Sequence, residues 1–290
     1  MIMNRIIFFF FYIGINLFRI IPFFLLYIMA WKVYIILFYV LGYRKKVVVD
    51  NLTKSFPDKN KQEIKSITKA FYRDNLSPIF AEGLKGFTMS HKQFQKRYIV
   101  KNPEILDVYF EKGQDVIALA THYGNWEWGV QSLDAQIKHQ AAALYKPMSN
   151  PIVEKYSKNL REKFGMHLVS IADTRVYFEK KKEKPTLYIM AADQSPSNTE
   201  KAYWVNFLGR NTPCLHGPEN YAKFNNLPTV FFDLKRAKRG YYEMEIKKLI
   251  DKPLETEPGE ITQKYMDLLA EDIKQDQKNW LWSHKRWKHA

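Results

Sequence analysis

The N-terminal part of the chain is almost entirely apolar, whereas the rest alternates apolar and polar positions. Residues 6–43 contain only two charged side chains, Arg19 and Lys32. Three consecutive basic residues then open a polar sequence. This break predicts two parts: N-terminal membrane-associated hydrophobic helices over residues 1–43 and an α/β domain over residues 44–290.

The pattern within the apolar segment leaves several interpretations open. No uninterrupted apolar run reaches the roughly 18–20 residues that a clean spanning helix needs, and Pro22 adds a bend or a new helix start. A secretory signal peptide is disfavoured because no small-residue cleavage site follows. A buried pair of core helices is an open alternative. A membrane anchor is favoured, because aromatic residues suit the bilayer interface and basic side chains can snorkel.

Whether this anchor spans the bilayer or lies in its interface is not decided by the pattern. The basic residues 44–46 favour a cytoplasmic position for the domain that follows. The domain that follows is therefore expected to face the cytoplasm from the surface of a membrane.

Beyond residue 48, short apolar runs alternate with helical patterns. Buried strands are predicted at 116–120, 141–145, 167–171 and 186–191, and a hairpin is predicted from the runs 229–237 and 241–249. Helices are predicted to start at Pro57-Asp58, Asn102-Pro103 and Asn150-Pro151, directly after the strand 116–120, and over about 258–276. Strands alternating with helices form layered sheets, so the fold class is α/β with a mixed central sheet and flanking helices.

Composition narrows the choice of partners. The 290 residues are 46% hydrophobic, which is enough for one sizeable core. Lys and Arg outnumber Asp and Glu by 45 to 30, and the net charge of +15 indicates a polyanionic partner such as nucleic acid, an anionic membrane, or an acidic protein or substrate. The single Cys214 excludes an intramolecular disulfide framework. No phosphate-binding glycine loop and no HExxH motif occurs, so neither a metal nor an organic cofactor is implied.

The stretch THYGNWEWG contains the most promising chemistry. It follows the apolar strand VIALA and leads into a helix, which places His122 on a strand-to-helix turn and Glu127 in the first helical turn. A carboxylate folded back onto the imidazole would fix its tautomer and leave the other ring nitrogen free to accept a proton. No Ser or Cys stands in an elbow motif, so direct attack by a substrate hydroxyl is expected. Chance alone predicts about one such spacing here, so the spacing needs support from its surroundings.

The surrounding blocks supply a resemblance that supports this interpretation. THYGNWEWG resembles the H-x4-[DE] block of the lipid A biosynthesis acyltransferases, the late lauroyl/myristoyl transferase family. LYKPMSNPIVEKYSKNLREKFG, IMAADQSPS and NWLWSHKRWK resemble further blocks of that family, in family order. The resemblance covers residues from about 42 to 288. It implies a glycerol-phosphate-acyltransferase-like α/β fold and the transfer of a fatty acyl group from acyl carrier protein to a hydroxyl of a lipid A precursor.

The resemblance also assigns roles to residues. It makes His122 the general base and Glu127 its partner, and it matches Arg161 to an arginine that faces reacting or anionic groups. Asp193, in the AADQS block, is a further substrate-binding candidate, as is Asn125 in the turn. Lys146 stands where the family often has Arg, and Lys lacks the planar two-pronged fit of a guanidinium to phosphate.

The charge and the tail fit the same interpretation. A basic surface would attract the acidic carrier protein, a phosphorylated acceptor and an anionic membrane. The tail WLWSHKRWKH is either an interfacial contact or a packed chain end. Single-stranded nucleic acid is disfavoured as a partner, because it leaves the N-terminal anchor unexplained. Two alternatives stay open: acyl transfer to another acceptor (an amino-acid lipid, a phospholipid precursor or a pigment), and a catalytically silent membrane-binding protein.

Overall fold

A mixed sheet of seven strands organises the protein in a computed structural model, which describes residues 2–289. The strands in chain order are β1 (Tyr98–Val100), β2 (Val116–Ala120), β3 (Gln140–Tyr145), β4 (His167–Ser170), β5 (Thr186–Ala191), β8 (Thr229–Lys238) and β9 (Tyr241–Ile250). Their order across the sheet is β1-β9-β8-β2-β5-β3-β4. All neighbouring pairs are parallel except the β8–β9 hairpin. A separate antiparallel pair is formed by β6 (Tyr203–Phe207) and β7 (Arg210–Cys214).

Helices cover the sheet and lead into its strands. They are α1 (Ile2–Ile20), α2 (Phe23–Ile35), α3 (Lys45–Ser55), α4 (Lys61–Ala70), α5 (Ser77–Gly86), α6 (His91–Arg97), α7 (Asp107–Phe110), α8 (Trp126–Ser132), α9 (Pro151–Glu162), α10 (Thr174–Glu179), α11 (Gly217–Phe224) and α12 (Glu260–Gln275). The predicted α/β class, with a mixed central sheet and flanking helices, is confirmed.

The central strand β2 shows why the sheet sits in the middle of the molecule. It pairs with β5 on one side and β8 on the other, and its apolar residues alternate between the two faces. Ile117 and Leu119 pack into one hydrophobic cluster, and Val116 and Ala118 into another on the opposite face. A strand that is buried on both faces has a continuous apolar sequence, as VIALA does.

The N-terminal helices are longer than the uninterrupted apolar runs of the sequence. Helix α1 ends at Ile20, and α2 continues through a π-helical turn, Ile36–Val40, with the break between the helices at Pro22. Two 18-residue stretches, Met3–Ile20 and Phe23–Val40, are long and apolar enough to cross a membrane. Only 6% and 22% of these stretches are buried. The two helices are candidate anchors and suggest membrane association.

Three local predictions differ from the structure. The helix expected at Pro57-Asp58 starts at Lys61, because Asn60 forms a capping box with Glu63. The segment expected as a helix from Asn102-Pro103 is a 3₁₀ turn followed by the single turn α7. The segment between the strands predicted at 186–191 and 229–237, for which no strand is predicted, contains the β6–β7 hairpin.

That hairpin turns at two residues with positive φ, Leu208 and Gly209. A leucine at the first turn position is not among the Asn-Gly or Asp-Gly signals by which such turns are recognised in a sequence.

Candidate active site

The candidate base lies at the carboxyl edge of the central sheet, beside a buried carboxylate. Strands β2 and β5 are parallel, with Ala120 next to Ala191. His122 and Asp193 each follow two residues later, so the register places them side by side just beyond the strand ends. Nδ1 of His122 lies 2.6 Å from Oδ1 of Asp193, and the backbone N–H of His122 donates to Oδ2 at 2.9 Å. This edge is where ligand sites form in α/β sheets.

Asp193 is held as a carboxylate although only 1% of it is exposed. Its Oδ2 also accepts the indole N–H of Trp280 at 2.9 Å. Burial alone would raise the pKa of Asp193, but the His122 ring and these hydrogen bonds hold it below its usual value. An ionised Asp193 accepts the Nδ1–H of His122, so Nε2 of the neutral ring carries no proton.

The imidazole is therefore set up as a base. Burial alone would lower the pKa of His122, but the charge and hydrogen bond of Asp193, together with the charge of Glu127, raise it above its usual value. The ring packs edge-on against Trp126, with centroids 4.9 Å apart. His122 also lines a cavity. One face of the ring is thus held by protein while the side chain borders space for a substrate.

Glu127 pairs with Arg161 and does not orient the imidazole, contrary to the sequence-based prediction. Nη2 of Arg161 donates to the two carboxylate oxygens at 3.0 and 2.9 Å, and Nε donates to Oε2 at 3.2 Å. The physical reason is that Glu127 lies in the first turn of α8, which packs on α9, while Asp193 already occupies Nδ1 of His122. The H-x4-E spacing brings the glutamate close enough to influence the pKa of His122 electrostatically.

Asn125 is also placed differently from its predicted substrate-binding role. Its side chain is fully buried, Oδ1 accepts the N–H of Trp128 at 3.1 Å, and Nδ2 donates to Oε2 of Glu82 at 2.7 Å. It therefore caps α8 and fixes the turn that carries His122. Both ends of the amide are engaged by buried protein groups, so the structure shows a positioning contact, and the predicted contact with substrate stays a prediction.

Lys146 follows β3 and is exposed at the wall of the same cavity as His122. Arg161 lines that cavity as well. Both cations therefore face space in which an anionic group could bind, and their roles toward substrate stay predictions.

The C-terminal segment contributes residues that the sequence analysis did not assign to the site. Gly124 donates its backbone N–H to Asn279 at 2.9 Å, and Tyr123 forms a β-bridge with Trp280. The tail tryptophans are buried, which decides for a packed chain end over an interfacial contact. Their only sequence signal was the aromatic richness of NWLWSHKRWK, which does not reveal that Trp280 reaches an aspartate 87 residues away.

His284 belongs to the same segment. Its Nε2 accepts the backbone N–H of Ser195 at 3.0 Å, and burial lowers the pKa of His284 to about 4. It is therefore neutral at physiological pH and does not compete with His122 as a proton acceptor.

Two spaces meet at the active site. We call the first the inner cavity: about 600 Å³, running from His122 between α8 and the sheet, with apolar walls that include Val130, Leu133, Ala143, Met166, Leu168, Phe232 and Met244. We call the second the outer groove: about 460 Å³, lined by Leu76, Ile79, Phe80, Gly83, Leu84 and Phe87 on one side and by Tyr43, Arg44, Leu281, Ser283 and His284 on the other. Both are lined by Trp126, Glu127, Arg161 and Gln194.

Comparison with known proteins decides the family. The model of the bacterial lipid A biosynthesis acyltransferases matches residues 1–289. The chain belongs to this family. A search of curated proteins gave no match to the chain. Membership of the lipid A biosynthesis acyltransferases indicates acyltransferase activity, with an acyl donor and a lipid acceptor as its substrates.

Proposed function

We propose that this lipid A biosynthesis acyltransferase transfers a fatty acyl chain from acyl carrier protein to a hydroxyl of a lipid A precursor, at the cytoplasmic face of the inner membrane. The observation that carries the proposal is the His122–Asp193 pair at the mouth of an apolar cavity. An imidazole with one nitrogen fixed by a carboxylate is a base for an alcohol, and an apolar cavity beside it accommodates a fatty chain.

The first step is proton abstraction. Nε2 of His122 takes the proton of the acceptor hydroxyl as its oxygen attacks the thioester carbonyl. The imidazolium that forms is stabilised by Asp193, which is ionised and already hydrogen bonded to Nδ1. The resulting tetrahedral intermediate collapses with cleavage of the C–S bond, and the thiol leaves with the proton that His122 held.

Arg161 is the proposed cation for the negative oxygen of that intermediate. Its Nε and Nη2 are held by Glu127, whereas Nη1 is bonded to no residue within 2–289. A guanidinium fixed on one edge offers its other edge in a defined direction, which reduces the reorganisation needed in the transition state. Glu127 thus acts through Arg161, which explains why its block carries a carboxylate five positions after the histidine.

The inner cavity is the proposed site of the donor chain. Its walls come from the apolar faces of α8 and the sheet, and it starts at the histidine. Each methylene buried there contributes about 0.8 kcal/mol, so the depth of the cavity would select the chain length. Delivery by an acidic carrier protein agrees with the net charge of +15.

The test of the chemistry is a reconstituted assay with purified protein in detergent. His122→Ala should lower the rate of acyl transfer from acyl carrier protein by roughly 10²–10⁴. Unchanged thermal unfolding of the variant would show that the loss is not one of folding. Wild-type turnover in the folded variant would refute the proposed base.

The test of the acceptor is lipid analysis of a deletion strain by mass spectrometry. Lipid A that lacks one acyl chain supports the proposal. Expression of the wild-type protein should restore the missing chain, whereas expression of His122→Ala should not. Intact lipid A, with a loss in another acylated lipid, would move the activity to that acceptor. No change in any lipid would favour a membrane-binding protein without catalysis.

A further inference from the structure

We propose that the outer groove binds an acyl chain of the acceptor lipid, with the anionic headgroup of that lipid at Arg44. This inference rests on the proposed function and adds to it a second chain-binding site, separate from the inner cavity. The groove and the cavity share Trp126 and Arg161, so two chains lying in them would meet beside His122.

One wall of the groove is an apolar stripe along α5 and the residues that flank it. Ile79, Phe80, Gly83 and Leu84 of α5, with Leu76 just before the helix and Phe87 just after it, follow the i, i+3, i+4, i+7 spacing of one helical face. Phe80 is 55% exposed although it is a large apolar residue on a helix that is otherwise mostly buried. An elongated apolar face of this kind fits an extended hydrocarbon chain.

The opposite side of α5 holds the candidate anchors, so the groove would lie beside a membrane in which α1 and α2 were embedded. Tyr27 of α2 donates to Glu82 at 2.8 Å, and the ammonium of Lys85 donates to the carbonyls of Phe18, Arg19 and Ile21 at 2.7–3.2 Å at the end of α1. A lipid that stays in the bilayer could therefore reach the groove without leaving the membrane surface.

The charges along the groove match an anionic lipid. Arg44 directly follows the apolar N-terminal segment and is exposed, with Nη1 donating to the carbonyl of Ser283 at 3.0 Å. It thus sits where a headgroup would lie while a chain enters the groove. Arg161, which is paired with Glu127, lies at the inner end of the groove near the reaction. An apolar wall that begins at an exposed cation suits a phosphorylated, acylated lipid.

Gly83 offers a direct way to block the groove. A Cβ built there meets no atom within 4 Å, so larger side chains at this helical position project into open space. Gly83→Leu should fold, because leucine favours helices more than glycine does. Gly217→Leu is the matched control: its Cβ also meets nothing within 4 Å, and Gly217, at the start of α11, lines neither the outer groove nor the inner cavity.

The experiment measures two activities of purified full-length variants. The first is acyl transfer to the lipid precursor isolated from the deletion strain. The second is hydrolysis of the acyl carrier protein thioester without acceptor, in which water replaces the hydroxyl. Gly83→Leu should lower kcat/KM for the acceptor about 10-fold or more and leave hydrolysis unchanged, Gly83→Ala should have a smaller effect, and Gly217→Leu should behave as wild type.

Two results would overturn the inference. Equal acceptor kcat/KM for Gly83→Leu and Gly217→Leu would show that the groove holds no acceptor chain. A parallel loss of donor hydrolysis in Gly83→Leu would assign the groove to the donor or its thiol arm. Failure of the proposed function looks different: His122→Ala would then retain both activities.

A second pair of variants tests the headgroup position. Arg44→Gln should raise KM for the anionic acceptor several-fold with kcat little changed, whereas Lys46→Gln, an exposed basic residue on the next helix, should not. Equal increases in KM for the two variants would show that Arg44 acts only as part of the general surface charge.

Discussion

At the residue scale, the site depends on two polar side chains that each follow a buried strand. Asp193 has almost no contact with solvent and yet stays ionised, because two N–H groups, from the His122 backbone and the Trp280 indole, and the His122 ring compensate for its burial. The same contacts fix which nitrogen of His122 is free. The charge state of one buried aspartate therefore sets the base strength of its neighbour.

The Arg161–Glu127 pair gives a first prediction at this scale. Arg161→Lys keeps the charge but loses the two-pronged contact with Glu127, so the cation should no longer be held toward the reaction. We expect kcat to fall about 10-fold or more, since hydrogen bonds to charged groups contribute about 1.5–3 kcal/mol. Steady-state kinetics measures this, and Lys158→Arg, at a half-buried position of the same helix that lines neither the inner cavity nor the outer groove, is the control. An unchanged kcat in Arg161→Lys would show that the guanidinium does not stabilise the transition state.

The sequence predicted His122 and the strand that precedes it, but not the carboxylate that touches the ring. VIALA and TLYIMA were both recognisable as buried strands, and a polar residue follows each. What the sequence did not contain was the strand order that makes β2 and β5 neighbours. Glu127 was predicted to orient the His122 ring because it is close to His122 in sequence. Asp193 and Trp280 are far from His122 in sequence and reach it only through long-range packing.

At the element scale, α5 connects the anchor helices with the catalytic turn. Glu82 on this helix is fully buried and accepts hydrogen bonds from Tyr27 of α2, Tyr242 of β9 and Asn125 of the turn, at 2.8, 2.6 and 2.7 Å. The carboxylate thus ties three elements together. Patterns of hydrophobicity do not show such a link, because it joins residues up to 160 positions apart.

Glu82→Gln tests this connection. An amide replaces one acceptor oxygen by a donor, so at least one of the three partners loses its hydrogen bond in a buried place. We expect a loss of about 1–3 kcal/mol of unfolding free energy, read as a lower Tm in detergent. Glu257→Gln, at an exposed position, should leave Tm unchanged. Equal Tm values for the two variants would contradict the role of Glu82.

The inner cavity gives a second prediction at this scale. Ala143 on β3 lines it, so Ala143→Leu would shorten the space for a donor chain. The kcat/KM for long-chain thioesters should then fall about 4-fold for each methylene that no longer fits, whereas kcat/KM for short-chain thioesters should not change. Competition among thioesters of different length measures the shift. An unchanged chain-length profile would place the donor chain elsewhere.

At the scale of the whole molecule, the net charge of +15 should act on the encounter with an acidic carrier protein. Such steering weakens as salt screens the charges. Raising the ionic strength should lower kcat/KM for the acyl carrier protein donor about 10-fold or more. The same acyl group on a small neutral thiol is the control and should show little salt dependence. Equal salt dependence of both donors would argue against a charged carrier as the natural donor.

The anchor helices and the tail also become clear only at this scale. The apolar pattern of residues 6–43 left open whether its helices are buried in a core, and in the structure only 6% and 22% of the two 18-residue stretches are buried. The aromatic tail, in contrast, folds inward and braces the active-site turn, since Trp280 contacts both Asp193 and Tyr123. Composition alone does not distinguish an aromatic residue that faces lipid from one that packs in a core.

The pH dependence of kcat in wild type, Asp193→Asn and Glu127→Gln tests most directly whether Asp193 governs the base. In the proposed mechanism activity requires deprotonated His122, so kcat should fall as pH drops through the pKa of that residue. Asp193 raises this pKa more than Glu127 does. Asp193→Asn should therefore move the acid limb to lower pH and reduce maximal kcat roughly 10²-fold or more, and Glu127→Gln should move the limb less. A wild-type profile for Asp193→Asn, or a larger displacement for Glu127→Gln, would contradict the account.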